Sequence, residues 1–287
     1  MSLAALLTLA LPVAGGGDGP AAKAATGTAI ASGETVLKQP DGQIEATYRY
    51  RLVEPPAAAI EGEKRVPLIV FLHGAGERGN DNESQLKHFV RDAASPEFQS
   101  AHPCFVLAMQ CPAGETWASL RLDNEKKRIV APTFASEPTR AMRALMQAMG
   151  EIIAGRKVDP DCIYLSGLSM GGFGSFDLAA RRPKQFAAVI PVCGGGDPAT
   201  APLLVDVPIY IVHGDDDPIV PVELSRTMRD AITKAIAAKA ETTKPIKNPA
   251  VMYREYTKVG HDSWTPAYRF GPDGVLDWLF LQRRTSR

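Results

Sequence analysis

The chain has 287 residues, 45% of them hydrophobic, with 32 Lys+Arg balanced by 32 Asp+Glu. That length and apolar content suffice to bury one large core, and zero net charge without a basic stripe argues against nucleic acid or anionic membrane as the main partner. No apolar run reaches membrane-spanning length, and no internal repeat is visible.

The chain opens on an apolar stretch, Leu3 to Val13, followed by Gly/Ala-rich sequence with Ala22-Lys-Ala24 as a cleavage-like site. No Lys or Arg precedes it, so the usual positive start of a signal peptide is missing. Residues 1–35 are expected to be signal-like or disordered, Gly15 to Gly33 in particular. Export to a secreted or periplasmic location is the expectation, with the cytoplasm as the alternative. Residues 36–287 are expected to form a single domain.

Gln43 to Val53 alternates, with Ala46, Tyr48, Tyr50 and Leu52 on one face and Glu45, Thr47, Arg49 and Arg51 on the other. That is the pattern of a half-buried strand near an antiparallel edge. Val66 to Leu72 is an apolar run of the buried parallel kind, ending in the glycine-rich loop His73 to Gly79. Gln85 to Asp92, with His88 inside it, reads as a short helix. Cys104 to Met109 is the next buried strand. A polar connection, Ala113 to Ala135, carries Trp117 and the charge run Asp123 to Arg128, expected to be a solvated loop face. Ser136-Glu-Pro138 supplies a helix start, and Ala141, Met142, Leu145, Met149, Ile152 and Ile153 keep helical spacing.

Cys162 to Leu165 is a buried strand and Gly172 to Ala180 a helix. Between them stands Gly167-Leu-Ser-Met-Gly171, a G-x-S-x-G sequence. In that context the serine sits on a strained strand-to-helix turn, exposed at a helix N-terminus that favours developing negative charge. Phe186 to Val192 and Val207 to Val212 are further buried strands, the second running into His213-Gly-Asp-Asp-Asp-Pro218. Pro221 to Ala238 is an amphipathic helix and Glu241 to Asn248 a polar connector. Val251 to Tyr256 is the last strand, followed by Gly260-His261. A closing helix, Gly274 to Gln282, is expected to turn Trp278, Leu279 and Leu281 to the core.

Strands alternating with helices imply an α/β fold, a mostly parallel sheet with helices on both faces. Ligands in such sheets bind beyond the carboxyl ends of the strands, where His73, Ser169, Asp215 to Asp217 and His261 all fall. A serine hydroxyl needs a base in reach and a carboxylate to orient that base. His88 and His102 lie in the wrong places, and His213 is expected to satisfy backbone groups of its own loop. His73 and His261 remain, and His261, which follows the last strand and comes after both the serine and the aspartates, is the expected base. The acid is one of Asp215, Asp216 and Asp217, with Asp262 a weaker alternative because adjacent residues rarely point at each other. The order Ser, Asp, His is that of α/β-hydrolase triads.

The chain resembles an α/β-hydrolase, and more narrowly the bacterial phospholipase/carboxylesterase and polyhydroxybutyrate-depolymerase-like esterases, some labelled "predicted peptidases". The resemblance rests on Leu72-His-Gly-Ala-Gly-Glu-Arg-Gly79, Gly167-Leu-Ser-Met-Gly-Gly-Phe-Gly174, His213-Gly-Asp-Asp-Asp-Pro-Ile-Val-Pro221 and Gly260-His-Asp-Ser-Trp264. The family pattern H-G-x-x-D-x-x-V-P places the acid at Asp217. The resemblance implies a serine carboxylic-ester hydrolase working through an acyl-enzyme, with catalytic residues Ser169, Asp217 and His261 and no metal or cofactor. Its oxyanion hole would use the amide of Met170 with Ala75 or Gly74. His73 is expected to prop that loop, Glu77 and Arg78 to pair locally, and Trp117 and Trp264 to bind substrate at the mouth. By the family's strand order, Cys104, Cys111, Cys162 and Cys193 are expected to be free thiols. A prolyl-oligopeptidase-like serine peptidase and a non-catalytic binding module on the same fold are the alternatives. The absence of a lid-like insertion points to small-molecule or polymer-attached ester substrates.

Overall fold

The computed structural model describes residues 28–123, 128–242, 251–271 and 274–284. The stretch Leu3 to Val13, most of the charge run after Asp123 and most of the connector before Val251 lie outside the described residues. The strands are β1 (Ile30–Lys38), β2 (Ile44–Val53), β3 (Val66–Leu72), β4 (Phe105–Met109), β5 (Leu120–Asp123), β6 (Arg128–Pro132), β7 (Val158–Leu168), β8 (Ala188–Val192), β9 (Ile209–Gly214) and β10 (Val251–Tyr256). The helices are α1 (Val90–Ala93), α2 (Pro96–Ala101), α3 (Arg140–Gly155), α4 (Met170–Arg181), α5 (Ala201–Leu204), α6 (Val222–Thr242), α7 (Trp264–Ala267) and α8 (Leu276–Phe280).

Eight strands make one sheet in the order β1-β2-β4-β3-β7-β8-β9-β10, and β5 pairs with β6 apart from it. β2 runs antiparallel to both β1 and β4, and the remaining neighbours are parallel. The burial pattern explains the difference. β4, β8 and β9 are buried at every position because helices cover both of their faces, whereas β1 and β2 alternate with one face solvated. Along β3 the side chains divide with period two. Leu68, Val70 and Leu72 join the core on one face with Met142, Leu145, Phe176, Met228 and Ile232 of α3, α4 and α6. Ile69 and Phe71 join the other with Phe89, Val90, Phe98, Leu276 and Leu279.

Several boundaries differ from the sequence reading for local physical reasons. β1 begins at Ile30, inside the segment expected to be disordered, because its backbone is paired along β2 from Ile30–Val53 to Lys38–Ile44. Gln85 to Asp92 is not one helix: a 3-10 turn, Ser84–Leu86, and α1 are separated by His88 at φ 68°, a left-handed conformation that no helix continues through. α3 starts later than Ser136-Glu-Pro138, capped by the Thr139 hydroxyl, which accepts from the Met142 amide. The connection Ala113 to Ala135 contains the β5–β6 hairpin. In the closing helix Leu279 is buried but Leu281, one residue past the helix end, is 80% exposed. All four cysteines are buried free thiols.

Candidate active site

Ser169 stands between β7 and α4 at φ 53°, ψ −118°, a conformation that L-residues adopt only under constraint. The constraint is visible on both sides. Its amide donates to Val192 O at 2.9 Å and toward Cys193 Sγ at 3.3 Å, tying the turn to the end of β8. Its carbonyl accepts from the Phe173 amide at 3.1 Å, the first bond of α4. The amides of Met170, Gly171 and Gly172 therefore precede the helical ladder, as at any helix N-terminus. The second glycine of the motif is required by close approach: a Cβ on Gly171 would lie 1.9 Å from Leu72 O.

The loops after β9 and β10 meet this turn. His261 Nε2 lies 3.0 Å from Ser169 Oγ, and His261 Nδ1 lies 2.7 Å from Asp217 Oδ2. A carboxylate only accepts, so Nδ1 carries the hydrogen and Nε2 presents its lone pair to the serine hydroxyl. The other Asp217 oxygen accepts the amides of Ile219 and Val220 at 2.8 and 2.9 Å. The Asp217 side chain is fully buried. Burial alone would push its carboxyl up. Hydrogen bonds from His213, His261 and the two amides outweigh that and hold it well below the usual carboxylate range. Its neighbours are spent elsewhere. Asp215 accepts the Lys258 amide, and Asp262 accepts the amide and hydroxyl of Thr265 at the start of α7.

On the other side of Ser169, the loop after β3 is fixed by its histidine. A Cβ on Gly74 would lie 3.6 Å from Ser169 Cβ, so this backbone passes beside that serine. The buried His73 accepts the Cys111 amide at Nε2, 2.9 Å away, so its Nδ1 is the donor to Gly74 O at 2.6 Å. With that carbonyl pinned, the trans amide of Ala75 is turned the opposite way. Burial pushes His73 down to about 4, keeping the ring neutral.

Two expectations for this region are corrected. Trp117 is fully buried, its indole N–H donates to His73 O at 3.1 Å, and its Cβ packs where a side chain on Gly174 would stand. It supports the loop from behind and lines no substrate mouth. Glu77 and Arg78 do not pair. Glu77 is buried against His88 at 3.3 Å, while Arg78 donates to the carbonyls of Ala75 and Glu115. Trp264 does lie beside the site, edge-on to His261 and to His88 with ring centroids 5.3 Å away in each case. Beyond His88 opens a cavity of about 550 Å³ whose lining includes Asp92, Glu97, Arg269, Phe98 and Phe270.

His213 meets the backbone of its own loop as expected, at Val220 O, but sequence reasoning missed its contact with Asp217 and the place of Cys193 beside Ser169. His213 is buried with Nε2 3.2 Å from Asp217 Oδ2, and the spacing of four residues between them was the available signal. Among the described residues, donor atoms of Cys193, Asp217 and His261 lie within 4.8 Å of one another. The Asp217 and His261 atoms already bond each other, so this cluster belongs to the Ser–His–Asp arrangement.

A strand-turn-helix serine, a histidine and a buried carboxylate converging past the carboxyl ends of a mostly parallel sheet define the α/β-hydrolase class. Residues 56–261 match the profile of the Phospholipase/Carboxylesterase family, and the chain belongs to that family. It is similar to the protein named "Putative esterase NocK" of Nocardia uniformis subsp. tsuyamanensis, 29% identical over 217 residues, which cover 75% of this chain and 57% of that protein. A crystal structure described as a thermostable esterase superposes with a TM-score of 0.72 at 34% identity, covering 89% of this chain and 63% of that one. The chain thus spans less than two thirds of the length of these two relatives. A ferulic acid esterase shares the fold, with a TM-score of 0.54 at 16% identity over 82% of this chain and 92% of that one. No helix among the described residues is long and apolar enough to cross a membrane.

Proposed function

We propose that this protein is a serine carboxylic-ester hydrolase that works through an acyl-enzyme. Ser169 Oγ attacks the ester carbonyl while His261 Nε2 takes its proton. His261 returns that proton to the departing alkoxide, and a water activated by the same nitrogen then releases the acid. Asp217 fixes the tautomer and orientation of His261 and stabilises the imidazolium that forms. The amides of Met170 and Ala75 receive the developing oxyanion, Gly74 letting the carbonyl approach closely. The observation that carries this reading is the unbroken pair of contacts, 3.0 Å from Ser169 to His261 and 2.7 Å from His261 to Asp217. A binding module has no need of such a relay. We also propose that the protein is exported.

The decisive experiment compares the native enzyme with Ser169→Ala on short p-nitrophenyl esters and with a fluorophosphonate probe. The variant is expected to lose about 10⁴-fold or more in kcat and to take no label. Near-native hydrolysis by the variant, or a native enzyme that takes no label, refutes the proposal.

A further inference from the structure

His213 is as buried as any residue in the protein and touches no surface. Its Nε2 faces two acceptors, Val220 O at 3.0 Å and Asp217 Oδ2 at 3.2 Å, and so carries the hydrogen they share. Its Nδ1 lies 2.7 Å from Ser225 Oγ, and that hydroxyl reaches Gly194 O at 2.8 Å. The ring is therefore held at both ends, by the first turn of α6 and by the loop of Asp217 itself. The Oδ2 atom it touches is the one that accepts from His261. The catalytic carboxylate is thus flanked by two imidazoles on one oxygen and by two amides on the other.

We infer that His213 is a positioning residue, locked between Ser225 and Asp217, that holds the Asp217 carboxylate in the orientation His261 requires. The inference rests on the proposed roles of Ser169, Asp217 and His261. His213 touches no reacting atom and acts through Asp217 alone. It also draws electron density from Oδ2, so its removal leaves a more basic carboxylate facing His261. The other ionisable groups around the pair do not replace it. Cys193, from the end of β8, is a thiol pushed up and kept neutral by burial. Asp262 is engaged with Thr265. Glu255, opposite His213 on β10, is taken up by Arg226 and Tyr253.

The test is the pH dependence of ester hydrolysis by His213→Asn, whose amide stays near Ser225 but does not reach Asp217, and by His213→Gln, which returns an N–H toward Asp217. The Asn variant is expected to lose kcat by about ten- to a hundredfold, the effect of one hydrogen bond to a charged group, with KM within about twofold. The acid limb of its kcat/KM profile should move to higher pH, because a freer carboxylate favours the imidazolium. The Gln variant should recover most of kcat and the native limb. Native kcat in the Asn variant, or equal slowing of both variants with an unmoved limb, overturns the inference. If the Asn variant does not fold, Ser225→Ala is read in the same way: a smaller loss with the same upward shift supports the role, and an unmoved profile overturns it. Asp217→Asn, measured in parallel, separates the two levels. Activity near native in that variant overturns the catalytic assignment itself, whereas an inactive Asp217→Asn beside an unaffected His213→Asn overturns only the positioning role.

Discussion

Acid should loosen this protein through His73. The ring is 1% exposed, and its Nε2 must keep a lone pair to accept the Cys111 amide while Nδ1–H holds Gly74 O. Protonation converts an acceptor into a donor facing a donor, and burial resists the charge as well. The folded protein therefore binds this proton only near pH 4, against an ordinary value of 6.5 for the unfolded chain. Between those values the unfolded state holds more protons, so stability from this group is complete above pH 6.5 and falls as pH is lowered to 4. At 1.36 kcal/mol per pH unit the loss is about 3 kcal/mol, a large share of the roughly 5–15 kcal/mol that holds most domains folded. Urea unfolding of the native protein and of His73→Gln, at steps from pH 7.5 to 4, isolates it. Glutamine offers Cys111 an acceptor and does not titrate, so groups common to both proteins cancel. The native protein should lose about 3 kcal/mol more than the variant across this window. Parallel curves would show that His73 is not a buried neutral base and would remove the reason for the fixed Gly74–Ala75 peptide.

Two further substitutions test how the turn and its support are built. Gly171→Ala drives a Cβ into the Leu72 carbonyl, which is backbone and cannot swing aside. It should cost about 3 kcal/mol and lower Tm by roughly 6–12 °C, and an unchanged Tm in a thermal melt would refute the close approach. Trp117→Phe keeps the aromatic volume but leaves His73 O without its indole donor, which should cost about 1–3 kcal/mol and reduce kcat more than it raises KM. A raised KM with unchanged stability would return Trp117 to the substrate mouth.

What the sequence made legible was whatever depends on local pattern. The strands β3, β4, β7, β8 and β9 announce themselves as apolar runs because both faces of a parallel sheet are covered. Ser169, Asp217 and His261 fall directly after such runs, at the edge where this sheet exposes its loops. The contributions that stayed hidden depend on distant partners. Trp117 sits in a polar connection, and only its contact with His73, 44 residues away in sequence, makes it a buried strut. Glu77 and Arg78 are adjacent, but the turn sends one to His88 and the other to backbone carbonyls. His88 looks helical from its neighbours, and its left-handed backbone emerges only once the chain must bend between the Ser84–Leu86 turn and α1. The same limit held for the three aspartates: spacing by resemblance selected Asp217, while the physical reason, two amides and two imidazoles converging on one buried carboxylate, is a property of the folded loop.

The end of β8 is where these parts are held in register. Val192 O takes the Ser169 amide, Cys193 N donates to Val212 O of β9 at 2.8 Å, and Gly194 O takes the Ser225 hydroxyl beneath His213. Gly194 and Gly172 also touch backbone to backbone: a Cβ on Gly194 would lie 2.5 Å from the Gly172 carbonyl carbon. The turn bearing the serine and the loop bearing the acid are therefore both referenced to one short segment and not only to each other through His261. A relay of the proposed kind loses rate steeply when its groups shift by as little as about 1 Å, and hydrogen bonds from a flexible loop alone would not give that accuracy. Strain at Ser169 points the same way. A left-handed serine persists only where its surroundings over-determine it, and the β8 contacts are the surroundings that do so, which places the origin of the site's geometry in the sheet and not in the exposed loops.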